Sequence, residues 1–167
     1  PALPSVTFNV IGSVCKAYQG TVPSNVKLLG FVSEAEKSAL LRQCGAAINP
    51  LTSGAGTNLK MLDYMAHAAP IVCTAVGARG LDLVDGEQAR ICELGQFAAG
   101  LASVLQDGVA SARMGQAGAA LAESKYAWAS IAAATATAID EVLDVSSSAA
   151  SRKRVLMLCD YEVHVAQ

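Results

Sequence analysis

A glycine-rich turn between an apolar run and a helical pattern carries the residues best suited to bind an anion. Gly54 and Gly56 let the backbone approach a ligand closely, and the residues after them have the apolar spacing of a helix. The first N–H groups of a helix are unpaired donors at the positive end of its dipole, so they can hold a diphosphate. Thr57 and Lys60 add side-chain donors. This segment therefore favours a phosphate-bearing ligand.

Lys60 and Asp63 are three residues apart and are neighbours on one face of the predicted helix. In a nucleotide site, the Lys60 ammonium would neutralise phosphate charge, and the Asp63 carboxylate would accept hydrogen bonds from two ribose hydroxyls. The same spacing is typical of a surface ion pair that stabilises a helix by about 0.3 kcal/mol. The spacing alone leaves both interpretations open.

Short apolar runs alternate with helical patterns on both sides of this turn. The strand-like runs are 6–11, 26–32, 46–51, 71–74 and 89–92. The helical patterns are 35–44, 59–66, 97–105 and 109–143, the last with a break near 126–128. Such alternation predicts an α/β fold with a Rossmann-like parallel sheet and helices on both faces. Sheets of this kind bind ligands at the carboxyl ends of their strands, where the glycine-rich turn lies.

The composition excludes several classes of protein. Of the 167 residues, 53% are hydrophobic and 16% are charged, and the formal net charge is −2, which argues against disorder and against a nucleic-acid partner. No apolar stretch reaches the roughly 20 residues of a membrane span, so we expect no direct membrane insertion. The five cysteines are widely spaced without a CxxC pair, and the two histidines lie far apart. This pattern predicts reduced thiols, a cytoplasmic protein and no metal site.

Residues 54–74, GAGTNLKMLDYMAHAAPIVCT, resemble the signature of retaining GT-B glycosyltransferases of family four, also called glycosyl transferases group 1. That signature joins a glycine loop, a lysine, an acidic residue, Met-Ala and a proline-led strand that ends in threonine. Three further segments are similar to the family in the same order. They are 26–33 (VKLLGFVS), 76–81 (VGARGL) and 125–128 (KYAW). The resemblance covers residues 6–144 and corresponds to the carboxyl-terminal, donor-binding half of the GT-B fold.

The resemblance implies that the chain binds a nucleoside-diphosphate sugar for transfer to a glycan, polysaccharide or lipid acceptor, without a cofactor or metal. The glycine loop would face the donor sugar and phosphates, an acidic residue would hold the ribose, and backbone after the second strand would border the base. By match, these roles fall on the following residues: Gly54, Gly56, Thr57, Asn58, Lys60, Asp63, Gly30, Phe31 and Val32. The partners it implies are the nucleotide-sugar donor and a facing amino-terminal GT-B domain of the same polypeptide.

The chain departs from the family pattern at three points. Asp63 stands where the family usually has glutamate, and Ala55 stands where many members have a second glutamate. The family's first strand, with its Arg- and Lys-containing diphosphate loop, is not matched, and neither is the facing domain that supplies the acceptor site and a histidine. We therefore expect no catalytic residue within these 167 residues, and membrane association only through other domains. A non-catalytic nucleotide-binding or scaffold module with a degenerate GT-B fold is the alternative.

The domain prediction places the donor-binding domain at 1–145, a linker at 146–151 and an extra strand within 152–167. Residues 152–163 resemble the first strand of a further two-domain unit. Alternatively, they pair with the sheet as an edge strand in the place of the family's unmatched first strand. Two other residues have open interpretations. His67 is expected to face the carboxyl end of its helix. Arg79 is either an exposed loop residue or a contact to donor or acceptor.

Overall fold

The structure is a computed structural model that describes residues 3–147, with side chains described to residue 143. The chain divides between Ala127 and Trp128 into two compact units. The strands are β1 Phe8–Ile11, β2 Val26–Gly30, β3 Ala47–Asn49, β4 Ile71–Cys73 and β5 Arg90–Ile91. The helices are α1 Val14–Ala17, α2 Glu34–Gln43, α3 Leu59–Ala66, α4 Ala75–Ala78, α5 Phe97–Gln106, α6 Gly108–Leu121 and α7 Trp128–Ser147.

All strand pairing between the named strands is parallel. The first sheet pairs β1 with β2, with Phe8 opposite Val26. The second has the order β3-β4-β5, with Ala47 opposite Ile71 and Val72 opposite Arg90. No hydrogen-bonded pairing joins β1 to β3 within residues 3–147. Phe8 of β1 and Ile48 of β3 nevertheless pack against the same apolar cluster, so the two sheets belong to one core.

Strand β4 explains why helices cover both faces of the second sheet. Its three residues are fully buried, and because side chains alternate along a strand, Ile71 and Cys73 face one side while Val72 faces the other. On the first side they meet Met61 and Met65 of α3. On the other side Val72 meets α5 and α6. A parallel sheet covered by helices on both faces requires such an all-apolar strand. This architecture confirms the predicted Rossmann-like α/β fold.

Local signals account for the helix boundaries. The Ser33 side chain accepts from the Glu36 backbone N–H while the Glu36 carboxylate accepts from the Ser33 N–H, so α2 begins with a complete capping box. Asp107 caps α6 by accepting from Ala110 N–H. The predicted break near residue 126 is confirmed, since a short π-helix, Ala122–Tyr126, separates α6 from α7.

The structure differs from the sequence prediction in two short additional helices and in the length of α7. The four-residue helices α1 and α4 have no counterpart in the predicted elements, because a single turn is too short to show helical periodicity. Helix α7 continues to Ser147 and so includes the first residues of the predicted linker. The rest of that linker and the predicted strand in 152–167 lie outside the described residues. Within residues 3–147, no helix has both the length and the apolarity needed to cross a membrane.

Candidate functional site

The glycine-rich turn, residues 51–58, connects the carboxyl end of β3 to the amino end of α3, as the sequence pattern predicts. Gly54 and Gly56 have φ values of 141° and 74°, which residues with a Cβ rarely adopt. Residues 52–57 are all solvent-exposed. We call residues 54–58 the glycine loop. It is an open backbone surface in front of the first turn of an eight-residue helix.

Close backbone packing holds β3 against the first turn of α4, directly behind the glycine loop. Asn49 is 1% exposed, and its side-chain amide donates to the Gly77 carbonyl at 3.2 Å. The Thr74 N–H donates to the Asn49 carbonyl at 3.3 Å. A Cβ at Gly77 would lie 2.6 Å from that same carbonyl oxygen, so only glycine fits there without displacement. No local pattern singles out Asn49, because its contacts depend on packing between segments that are distant in the chain.

Asn58 attaches the end of the glycine loop to α4. Its side-chain amide donates to the Val76 carbonyl at 3.2 Å and to the Gly77 carbonyl at 3.1 Å. As the N-cap residue of α3 it makes no side-chain capping bond. The Thr74 hydroxyl donates to the Leu51 carbonyl at the start of the turn. Both ends of the turn are therefore bonded to the segment that follows β4.

Arg79 contacts the middle of the glycine loop. Its Nε and one terminal nitrogen both donate to the Gly56 carbonyl, at 3.4 and 3.3 Å. The next residue, Gly80, has a φ of 81° and lies so close to Thr57 that a Cβ there would overlap the Thr57 hydroxyl. Arg79 is exposed, as the first of its two interpretations from sequence states, and a contact to donor or acceptor stays a prediction.

Lys60 and Asp63 both lie on α3, but they do not form an ion pair with each other. Lys60 is exposed, and no carboxylate among residues 3–143, whose side chains are described, is within ion-pair distance of it. The Asp63 carboxylate instead lies 3.1 Å from the Lys37 ammonium of α2. Lys37 also contacts Glu34 at 2.8 Å, and hydrogen bonds to Glu34 and then Asp63 raise the pKa of Lys37.

His67 forms a second link between α3 and α2. Its Nδ1 lies 2.7 Å from the Asp63 carbonyl and its Nε2 lies 3.0 Å from the Ser38 hydroxyl. Because a carbonyl only accepts, the Nδ1 N–H donates to the Asp63 carbonyl, and Nε2 contacts the Ser38 hydroxyl. His67 therefore ends α3 at its carboxyl terminus, where the sequence pattern places it.

The Gly30, Phe31 and Val32 run lies at the carboxyl end of β2, on the other sheet. Gly30 has a φ of 72°, and the Phe31 side chain is 70% exposed. The Lys16 ammonium lies 5.3 Å from the centre of the Phe31 ring. A shallow groove of about 460 Å³ runs beside Phe31 and Val32 towards α2. No hydrogen bond between this run and the glycine loop occurs within residues 3–147.

The arrangement can bind an anion through backbone amides and two cations, and it holds no candidate metal site. Lys60 and Arg79 flank the glycine loop, and residues 49–60 contain no carboxylate side chain. No group of three or more histidine, cysteine or acidic residues comes together in the described part of the chain. The chemistry available at this surface is charge neutralisation and hydrogen-bond donation.

Comparison with known proteins places this loop within a family signature. Residues 2–107 match the family model for glycosyl transferases group 1. No curated protein matches the chain. Among solved structures, the carboxyl-terminal domain of the glycosyl transferase group 1 family protein LpcC from Francisella tularensis is 23% identical, with a TM-score of 0.56. That match covers 62% of this chain and 55% of the LpcC domain.

Anabaena HepE, solved in complex with UDP-glucose, is 18% identical with a TM-score of 0.63, and the match covers 89% of this chain and 43% of HepE. TarM is 19% identical with a TM-score of 0.62, covering 84% of this chain and 28% of that one. At these identities the likeness shows a shared fold. The chain spans about half or less of the length of these structures.

Proposed function

Because the chain belongs to the glycosyl transferases group 1 family, we propose that it is the donor-binding domain of a retaining glycosyltransferase. In this role it binds a nucleoside-diphosphate sugar while a longer polypeptide transfers the sugar to a glycan, polysaccharide or lipid acceptor. The observation that carries the proposal is the braced glycine loop at the carboxyl end of β3, inside the matched residues. The complex of HepE with UDP-glucose supports UDP as the first nucleotide to test.

The glycine loop and Lys60 are the proposed diphosphate site. The exposed backbone of Gly54, Gly56 and Thr57 can approach phosphate oxygens or sugar hydroxyls without side-chain obstruction. Lys60 lies in the first turn of α3, where the helix dipole also favours negative charge, and its ammonium is not committed to a carboxylate in the described chain. As negative charge develops on the leaving diphosphate, these donors would stabilise it electrostatically.

Asp63 and the end of β2 are the proposed nucleoside site. The Lys37 ammonium holds one carboxylate oxygen of Asp63, and the other is available to accept from ribose hydroxyls. Backbone at Gly30, Phe31 and Val32 would border the base. The Asn58 side-chain NH2 group already donates to two carbonyls, so we propose that Asn58 braces the loop and does not donate a side-chain hydrogen bond to the nucleotide sugar.

We propose that a strand of the longer polypeptide completes the sheet between β1 and β3 and that a facing amino-terminal domain supplies the acceptor site. Two observations and one general rule support this. The edges of β1 and β3 are not paired with each other within residues 3–147, although Phe8 and Ile48 share one apolar cluster. Parallel sheets are normally continuous and covered on both faces. The match also covers only 43% of HepE and 28% of TarM.

A calorimetric titration of this chain with UDP, GDP, ADP and dTDP tests the proposal, with inorganic phosphate as the control for simple anion binding. We expect one nucleoside diphosphate to bind more tightly than phosphate, because ribose and base add contacts. Equal binding of phosphate and all four nucleotides would reject a nucleotide site. The non-catalytic alternative rests on Ala55 and Asp63, which stand where the family more often has glutamate, and donor binding without sugar transfer by the longer polypeptide would favour it.

A further inference from the structure

Arg79 contacts the glycine loop, and neither the family match nor the sequence pattern predicts this contact. Two nitrogens of its guanidinium converge on one oxygen, the Gly56 carbonyl, at 3.4 and 3.3 Å. The planar guanidinium suits this geometry, because its donors form a rigid fork that a lysine cannot reproduce. Arg79 is itself held at the end of α4, where its backbone N–H donates to the Val76 carbonyl. Arg79, at the end of α4, therefore restrains the peptide group between Gly56 and Thr57 in the glycine loop.

The geometry of the peptide bond makes this restraint matter for Thr57. The Gly56 carbonyl and the Thr57 N–H belong to the same planar peptide unit, and no peptide bond in the described residues is cis. In a trans peptide the two groups point in opposite directions. When Arg79 holds the carbonyl, it also fixes the Thr57 N–H, which points away from Arg79. No acceptor within residues 3–147 is hydrogen-bonded to that N–H.

Without Arg79, no hydrogen bond within the described residues would hold this peptide. Gly56 has a φ of 74° and open space around its Cα, so its backbone can rotate at little steric cost. The braces from Asn58 and Thr74 act at the two ends of the turn and leave the Gly56–Thr57 peptide unheld. Rotation of that peptide would turn a carbonyl oxygen to the side where the N–H now lies, and a carbonyl repels an anion.

We propose that Arg79 is a positioning residue that sets the Gly56–Thr57 peptide so that the Thr57 N–H faces the diphosphate of the donor. The inference rests on the proposed donor-binding function. It assigns Arg79 an indirect role, in which the guanidinium holds the loop and the backbone amide meets the ligand.

The first test measures the peptide itself and needs no ligand. Backbone ¹⁵N relaxation would be compared for wild type, R79A, R79K and the control R113A, which removes an exposed arginine of α6. In wild type and R113A we expect a rigid Thr57 amide, with an order parameter of about 0.85. In R79A we expect less than about 0.6, with partial recovery in R79K. An unchanged Thr57 amide in R79A would overturn the proposal.

The second test asks whether Arg79 acts through the peptide or touches the donor directly. In UDP titrations, R79A should weaken binding about fivefold and R113A should leave it unchanged. G56A perturbs the same peptide by strain at its positive φ. If Arg79 acts through that peptide, the double variant R79A/G56A should bind about as weakly as the worse single variant. Effects that multiply independently would overturn the indirect role. Failure of wild type to bind UDP would count against the proposed function, while the relaxation result would still decide whether Arg79 holds the peptide.

Discussion

Replacing Gly77 by alanine should destabilise the chain strongly, because the new Cβ meets backbone and not a flexible side chain. It would lie 2.6 Å from the Asn49 carbonyl oxygen and 3.1 Å from the Asn49 side-chain nitrogen. An ordinary contact begins at 3.4 Å, so β3 and α4 must separate by about 0.8 Å. Neither side can yield easily, since Asn49 and Gly77 are both buried.

The expected cost follows from two contributions. Overpacking a tight interior site costs about 1 to 3 kcal/mol. The displacement also weakens the bond from the buried Asn49 amide to the Gly77 carbonyl, and a buried amide that loses its acceptor costs about 1 to 3 kcal/mol. We therefore expect the free energy of unfolding to fall by about 3 kcal/mol. With a urea slope of about 1.5 kcal/mol per molar, the midpoint would drop by about 2 M.

Urea denaturation followed by circular dichroism measures this directly, and Gly95→Ala is the matched control. A Cβ at Gly95 meets nothing within 4 Å, and its φ is ordinary, so its midpoint should stay within about 0.3 M of wild type. If Gly77→Ala also stayed within about 0.3 M of wild type, the close packing of β3 on α4 would be refuted. The support that Asn49 and Gly77 give to the glycine loop would then be refuted as well.

Three further perturbations test separate parts of the structure. Gly80→Ala and Gly86→Ala place a Cβ at φ values of 81° and 82°, but only the first collides with Thr57. Both variants should lose about 1 kcal/mol of stability through backbone strain. Only Gly80→Ala should weaken UDP binding, by about fivefold. Equal affinities of the two variants in calorimetry would contradict the contact between Gly80 and Thr57. Ser33→Ala should cost about 1 kcal/mol in urea denaturation by removing the cap of α2, and no loss would contradict the capping box. Burial raises the pKa of Cys73 from 9.0 to about 12, so stability should be complete below pH 9 and fall between pH 9 and 12 as only the unfolded thiol ionises. Cys73→Ala should flatten that decline in denaturation midpoints measured at pH 8.5 to 10.5, and an unchanged slope would contradict the assignment.

The strands and the glycine loop were predictable because their signals are local. Runs of apolar residues marked β3 and β4, and the glycines between β3 and α3 marked the turn. The capping box at Ser33 and Glu36 was readable because both partners lie within one turn of the helix. These features depend on residues a few positions apart, which is the range over which sequence patterns carry information.

The contacts that brace the site were not predictable, because each joins segments far apart in the chain. Asp63 pairs with Lys37 of α2 although Lys60 is nearer in sequence, since the packing of α2 on α3 decides which cation it meets. The contact of Arg79 with Gly56 likewise depends on how β4 and β3 place their following loops side by side. The family resemblance predicts which residues bind the donor, whereas the packing shows what holds those residues in place.

The most direct test of the donor-binding claim is the affinity of this chain for UDP in wild type, Lys60→Ala and Asp63→Ala. Lys27→Ala and Asp140→Ala, which remove exposed charges outside the site, are the matched controls. Each loss of a charge-assisted hydrogen bond should cost about 1 kcal/mol or more, so both site variants should bind UDP at least about fivefold more weakly than wild type and the controls. Equal affinity in all five proteins would contradict the claim that the loop, Lys60 and Asp63 form the nucleotide-sugar site.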